Sequence, residues 1–273
     1  MVQINTYIID AVRTPIGNFG GTLKSIRTDD LAAIPIKELI KRTKVDPSKI
    51  DDVILGCANQ AGEDNRNIAR MALLLAGFPF SVPGETVNRL CSSGMSAVIH
   101  AHRAIAAGDG DLFIAGGVEN MTRGPWVISK ASKAFGIDSQ MFDSSFGWRF
   151  VNPKMKELYG VDGMGVTAEN LAEKYNISRE DQDKFAYNSQ MKATHAQCSG
   201  RLAEEIVAIE IPQRKKDPII FEHDEFIKGK TSIEVLAKLR TAFKKDGGTV
   251  TAGNSSGLND GAAAMLLASE KGI

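Results

Sequence analysis

Residues 85–117 read ETVNRLCSSGMSAVIHAHRAIAAGDGDLFIAGG. Glu85-Thr86-Val87-Asn88 is a short extended piece, residues 94–107 carry helical spacing, and Asp111-Leu112-Phe113-Ile114-Ala115 is an apolar run closed by Gly116 and Gly117. Extended, helical, extended is the order of a βαβ crossover, whose strands pair in parallel with the helix on one face. The alternation continues upstream. Tyr7-Ile8-Ile9-Asp10-Ala11-Val12 reads as a buried strand, residues 29–43 as a helix, Asp52-Val53-Ile54-Leu55-Gly56 as a strand, and residues 65–76 as an apolar helix stopped by Gly77 and Pro79. Pro35 falls inside the first helix, where a proline costs about 3 kcal/mol, so a kink or a helix start is expected there. The expected class is α/β, with helices on both faces of the sheet.

Downstream the character changes. Between residues 122 and 247 apolar runs thin out, and Trp126, Phe135, Phe142, Phe146, Trp148 and Phe150 are scattered among polar residues. Residues 167–175 look helical, and Ser178-Arg179-Glu180-Asp181 fits a capping box that opens a charged surface helix running towards Gln197. A structureless loop of this length is improbable, so residues 122–247 are read as an inserted loop domain. Residues 249–253 and 261–268 return to strand character and are expected to rejoin the first sheet, giving a core of residues 1–121 and 248–273.

Composition narrows the function classes. The 273 residues are 43% hydrophobic and 24% charged, with 33 cations against 33 acids, so no cation surplus is available to displace counterions from nucleic acid. The amino terminus, residues 1–7, lacks the basic-then-apolar pattern of a secretory signal, and no apolar run approaches a membrane span. Cys57, Cys91 and Cys198 are odd in number and widely spaced, and no CxxC pair suggests zinc or any other metal site. A reduced, cytoplasmic compartment is expected.

Cys91 is the residue on which chemistry converges. The helix after it is expected to begin near Ser92 or Ser93 and to bury a face marked by Met95, Val98 and Ile105. The thiol then lies where unpaired backbone N–H groups and the positive end of the helix dipole favour an anion. The same donors can hold the oxyanion formed when a thioester carbonyl is attacked, and Gly94 leaves room for an acyl group. The plainer reading is a small buried apolar residue, as free cysteines usually are, and Cys57 and Cys198 keep that reading. No base accompanies the thiol. His100 and His102 lie two apart on one helix and point in different directions, His195 sits in the charged helix, and His223 in a charged loop.

Asn88-Arg89-Leu90-Cys91-Ser92-Ser93-Gly94 resembles the thiolase nucleophile motif. Four further stretches resemble the same family in the same order: Ala11-Val12-Arg13-Thr14-Pro15, Gly108-Asp109 leading to Ala115-Gly116-Gly117-Val118-Glu119-Asn120-Met121, Met164-Gly165-Val166-Thr167-Ala168-Glu169-Asn170, and residues 251–261. The resemblance covers the whole chain. It implies the amino-terminal half of a thiolase, a mixed sheet with helices on both faces plus a long inserted loop domain that holds coenzyme A. It implies CoA thioesters as substrates, CoA itself as a substrate rather than a permanently bound cofactor, a homo-oligomer, and Cys91 as the nucleophile. Met155, Met164, Lys228 and Ser256 are the CoA-lining candidates by position, Ser256 within an intact motif. Where a related enzyme has histidine before the Met-Gly pair, this chain has Gly163.

Phe146-Gly147-Trp148-Arg149-Phe150-Val151-Asn152-Pro153 is similar to 3-oxoadipyl-CoA thiolases of aromatic degradation, and general 3-ketoacyl-CoA thiolases fit as well. The family's carboxyl-terminal half supplies a Gly-His-Pro base, an Asn-Glu-Ala-Phe segment and a second cysteine, and none of these motifs occurs here. The expectation is therefore a fragment that holds the nucleophile, is inactive or nearly so alone, and would need the missing carboxyl-terminal half. A ketoacyl-synthase-type half and a non-catalytic binding or assembly module are the competing readings.

Overall fold

A computed structural model describes residues 5–273. Residues 1–4, on which the reading of the amino terminus partly rests, lie outside the described residues. In chain order the elements are β1 (Tyr7–Arg13), β2 (Gly17–Asn18), α1 (Thr28–Thr43), β3 (Asp52–Gly56), α2 (Ile68–Leu75), β4 (Gly84–Val87), α3 (Ser93–Ala107) and β5 (Leu112–Asn120). There follow β6 (Trp126–Ile128), β7 (Met141–Asp143), α4 (Pro153–Tyr159), α5 (Met164–Tyr175), α6 (Arg179–Cys198), β8 (Ile209–Gln213), β9 (Lys216–Phe221), α7 (Ile233–Ala237) and β10 (Asn259–Ala268). They fall into two units. The first runs from the amino terminus to Pro125 and takes in Ala203–Glu225 and Asn259–Ile273; the second is Trp126–Leu202 with Phe226–Leu258.

The first unit is built on a mixed sheet of order β1-β10-β5-β3-β4, with β2 paired to β10. β3 runs parallel to both β4 and β5, as the alternating pattern requires, while β10 is antiparallel to β5 and β1. Alternate residues of the inner strands feed opposite layers. Val53, Leu55, Ile114, Val118 and Leu266 join Leu31, Ile36 and Leu39 of α1 and Ile68 and Leu73 of α2 on one face. Ile54, Phe113, Ala115 and Leu267 meet Ala97, Ala101 and Ile105 of α3 on the other. The α/β, mixed-sheet expectation, with helices on both faces, is borne out.

Several boundaries differ from the sequence reading. α1 is one continuous helix with a buried Pro35 inside it. Burial of Leu31, Ile36 and Leu39, each contributing about 1.5–3 kcal/mol, outweighs the lost hydrogen bond. α2 starts at Ile68, three residues later than expected, because Asn67 caps it by accepting the Arg70 N–H at 3.1 Å. β1 is an edge strand and its Tyr7, Ile8 and Ile9 are exposed, so the buried-strand reading fails there. β5 passes through Gly116 and Gly117 to Asn120 instead of ending at them. Residues 203–225, inside the range marked by the composition shift, lie with the first unit. Arg13 clamps them, donating to both carboxylate oxygens of Asp224 at 2.8 and 2.9 Å and to Glu205 at 2.7 Å.

In the second unit Ser178 caps α6 as its motif requires, accepting the Asp181 N–H at 3.0 Å. Residues 249–253 do not form a strand of the first sheet; only residues 259–268 do. Their backbone is taken instead by Glu169, which accepts the Thr249 N–H at 2.9 Å and the Val250 N–H at 2.8 Å. Asn254 continues the loop, donating to the buried Asp183 at 2.9 Å and accepting the Thr251 N–H at 2.7 Å. Burial pushes the Glu169 carboxyl up, but these N–H donors, the Thr249 hydroxyl and Lys244 hold it below the usual glutamate range. A depressed carboxyl contributes stability that is fully present above the ordinary glutamate range and lost as pH falls below that range, through the lower folded value. Glu169→Ala, which strands the buried donors, should cost about 3 kcal/mol and remove that acid limb. Urea unfolding followed by tryptophan fluorescence checks this, since both tryptophans, Trp126 and Trp148, belong to this unit. Among the described residues, no helix is long and apolar enough to cross a membrane.

Candidate active site

The carboxyl ends of β3, β4 and β5 lie together, the end of a parallel sheet at which α/β proteins place their ligands. From β4 the chain turns through Asn88, Arg89 and Leu90 into Cys91 and then α3. Leu90 has φ +50°, the left-handed region that a branched L-residue adopts only when its surroundings hold it there. The bonds that hold it come from its neighbours. Asn88 Oδ1 accepts the Leu90 N–H at 2.9 Å. The Leu90 carbonyl accepts from the Ser93 N–H at 3.0 Å and from Ser93 Oγ at 2.5 Å. Ser93 Oγ also accepts the Arg89 N–H at 2.8 Å, which makes this buried serine the pivot of the turn.

The result is an exposed Cys91 at the helix entrance. The Ser92 and Ser93 N–H groups are spent inside the turn, on the Arg89 and Leu90 carbonyls. Among the described residues, the N–H groups of Gly94 and Met95 find no acceptor, so they remain available at the helix start. α3 begins at Ser93, as expected, and of the expected face Ile105 is buried and Val98 packs partly buried against the core. Met95 departs from it, being 69% exposed, and Ser93, Ser96, Ala97 and Ala101 complete the buried side. Small residues are required because the sheet beneath is floored with glycine. A Cβ on Gly56 would overlap the Ser93 carbonyl carbon and the Gly94 nitrogen. Gly94, by contrast, has only the Gly116 carbonyl 3.8 Å from an added Cβ.

The other cysteines are placed differently. Cys57 follows β3, is buried, and lies with Asp64 and Glu119 so that their ligand atoms fall within 4.8 Å of one another. The carboxylates are occupied by backbone donors: Glu119 takes the N–H groups of Ala58 and Asn59, and Asp64 those of Gln60 and Gly62. Burial, then Glu119 and Asp64, pushes the Cys57 thiol far up and keeps it protonated. Cys198 ends α6 and is exposed. Iodoacetamide at neutral pH should modify Cys91 and Cys198 and spare Cys57, and peptide mapping reads this directly. Cys57 modified at the rate of Cys91 would contradict the burial and protonation argued for it.

The histidines fall where the sequence left them. His102 shares a 2.8 Å hydrogen bond with Thr6, His100 Nδ1 lies 3.8 Å from Glu85, and His195 and His223 are exposed. His100 lines a cleft of about 540 Å³ with Asp51, Asp52, Glu85, Arg103 and Asp109, which does not include Cys91. Met155, Met164, Lys228 and Ser256 all belong to the second unit and all are exposed. Lys228 donates its N–H to Gln190 at 2.7 Å, lies 5.7 Å from the Phe226 ring centre, and lines a cleft of about 420 Å³ with Lys230, Thr194 and Gln197. Sequence reasoning quoted Asn88, Leu90 and Ser93 within the motif and Gly56 within a strand, and gave none of them a part in shaping the turn. The only visible signal was the Asx-turn spacing of Asn88 to the amide two residues on.

An exposed thiol at a helix start, behind the carboxyl ends of parallel strands and beside free backbone donors, is an arrangement suited to acyl transfer. The chain belongs to the thiolase family: residues 6–271 match the family described as "Thiolase, N-terminal domain". It is 57% identical over 266 residues to the 3-oxoadipyl-CoA/3-oxo-5,6-dehydrosuberyl-CoA thiolase of Escherichia coli, covering 97% of this chain and 66% of that protein. It is 58% identical over 268 residues to the beta-ketoadipyl-CoA thiolase of Pseudomonas aeruginosa, covering 98% and 66%. Among solved structures, the Bacillus anthracis acetyl-CoA acetyltransferase superimposes with a TM-score of 0.85 at 41% identity, over 98% of this chain and 66% of that one. The chain thus spans about two thirds of the length of the relatives it matches. The resemblance to the thiolase family drawn from the five motifs is borne out, and thiolases named for 3-oxoadipyl-CoA and beta-ketoadipyl-CoA are among the relatives it matches.

Proposed function

We propose that Cys91 is the acyl-accepting nucleophile of a cytoplasmic thiolase that cleaves a 3-ketoacyl-CoA of the 3-oxoadipyl type. The observation that carries this reading is the exposed thiol held at the start of α3 by a left-handed turn. The Cys91 thiolate attacks the C3 carbonyl, and the oxyanion is held by backbone N–H groups at the helix start. As the carbonyl re-forms, the C2–C3 bond breaks and its electron pair leaves on C2 of acetyl-CoA, which takes up a proton. The thiol of free CoA then attacks the acyl thioester and restores the Cys91 thiolate. CoA enters and leaves as a substrate, and no resident cofactor takes part.

On this reading Met155, Met164, Lys228 and Ser256 line the path of the CoA, with Lys228 and Lys230 suited to its phosphates. Repeated turnover needs a base and an acid to move these protons, whereas water can protonate C2 in a single acyl transfer; a carboxyl-terminal half containing the two groups, in a homo-oligomer, is part of the same proposal. The 273-residue chain alone is expected to take an acyl group from a CoA thioester without turning over. Intact-mass spectrometry after incubation with acetoacetyl-CoA tests this. One acetyl group per chain, mapped to Cys91, supports the reading, whereas label on Cys198 or none at all sinks it.

A further inference from the structure

One side chain ties the turn that presents Cys91 to a second loop. Asn88 Oδ1 accepts the Leu90 N–H at 2.9 Å, closing an Asx turn, while Asn88 Nδ2 donates to the Ala58 carbonyl at 3.0 Å. Ala58 is itself fixed, since its N–H donates to Glu119 Oε2 at 2.8 Å and the next amide, of Asn59, donates to Glu119 Oε1 at 3.1 Å. Glu119 stands near the end of β5, Ala58 just beyond β3, and Asn88 just beyond β4. Three neighbouring strand ends are therefore joined through one carboxylate and one carboxamide. Leu90 depends on this tether more than an ordinary residue would, because an L-residue at φ +50° relaxes towards the extended or helical regions once its bonds are removed. Ser93 holds the carbonyl side of Leu90 and, among the described residues, Asn88 alone holds its N–H.

We propose that Asn88 is a positioning residue for Cys91. Its carboxamide keeps Leu90 left-handed and registers the turn on the Ala58 carbonyl, so that the thiol leaves the chain at the helix start in its attacking direction. The role rests on the reading of Cys91 as acyl acceptor. Asn88 is exposed, so positioning can be separated from folding.

The test uses the 273-residue chain with Asn88→Ala and Asn88→Ser. It has two readouts: acyl uptake from acetoacetyl-CoA by intact mass, and iodoacetamide alkylation of Cys91 relative to Cys198 by peptide mapping. In Asn88→Ala both should fall about ten-fold, the scale of a lost orienting hydrogen bond, with the melting temperature little changed. In Asn88→Ser the hydroxyl still accepts the Leu90 N–H but does not reach Ala58, and the loss should shrink to about three-fold. A Cys91 to Cys198 ratio within about two-fold of wild type in Asn88→Ala overturns the proposal, as does an equal change at Cys198. An Asn88→Ser chain indistinguishable from wild type overturns it even where the alanine variant fails to fold. If the wild-type chain takes no acyl group, the acceptor reading fails while the alkylation ratio still decides the role of Asn88.

Discussion

Cys91→Ser is expected to lower acyl uptake from acetoacetyl-CoA by about three orders of magnitude while the chain stays folded. The substitution is nearly isosteric at an exposed position, so packing is not disturbed. What changes is the nucleophile. A thiol supplies thiolate at neutral pH with no partner, whereas a serine hydroxyl needs an adjacent base. His102 is bound to Thr6 and His100 lies beside Glu85, more than a turn along α3. The backbone donors at the helix start are untouched, so the loss would measure the nucleophile and not the oxyanion contacts. Time-resolved intact mass at equal protein concentration gives the ratio. Undiminished uptake in Cys91→Ser would mean that another group carries the acyl chain.

Gly56→Ala should destabilise the first unit by about 4 kcal/mol, beyond the usual range for a one-carbon insertion. The added methyl would meet the backbone of Ser93 and Gly94, which no side-chain rotation can move aside. Either β3 or the start of α3 must shift, and the second outcome carries Cys91 with it. Gly94→Ala is the control. It meets only ordinary contact at 3.8 Å and replaces a helical glycine, so its stability should change by no more than about 1 kcal/mol, and upwards. Chemical denaturation of the two variants side by side distinguishes them. Equal stability would show that α3 does not rest on Gly56 as described.

The contrast between those glycines shows how far the residues could be read in one dimension. Gly94 drew attention because it follows the nucleophile, yet it is Gly56, far upstream, that lets the helix seat on the sheet. The same floor explains why Met95 faces outward. Counting apolar residues at helical spacing finds Ile105 at the far end of α3, but the start of the helix rests on Gly56 and buries small residues, Ser93, Ser96 and Ala97. Gly116 and Gly117 look like punctuation to a local reading and prove to be strand interior, where close approach of the neighbouring backbone excludes a Cβ.

Alternation of strands and helices, the start of α3 and the cap at Ser178 were legible because each depends on a few consecutive residues. The left-handed Leu90 was not, since nothing in leucine favours φ +50°; bonds from Asn88 and Ser93 impose it. Residues 249–253 have strand composition, and a glutamate 80 residues upstream, together with Asn254, holds them as a loop. The four CoA-lining candidates, Met155, Met164, Lys228 and Ser256, rest on their position in the family resemblance, and of these Ser256 lies within an intact motif.

β10, the last element of the chain, occupies an inner position of the sheet, between β1 and β5. Among the described residues β1 pairs with no other strand of that sheet, so its partner is synthesised only after the entire second unit. During synthesis Val12 and the opposing edge of β5 wait with their hydrogen-bonding groups unmatched, for roughly ten seconds at ordinary elongation rates. The sheet thus closes by late insertion of a strand between two waiting edges. Nascent chains halted before residue 259 should be unusually dependent on chaperones, and release of β10 becomes the step that commits the first unit to its fold.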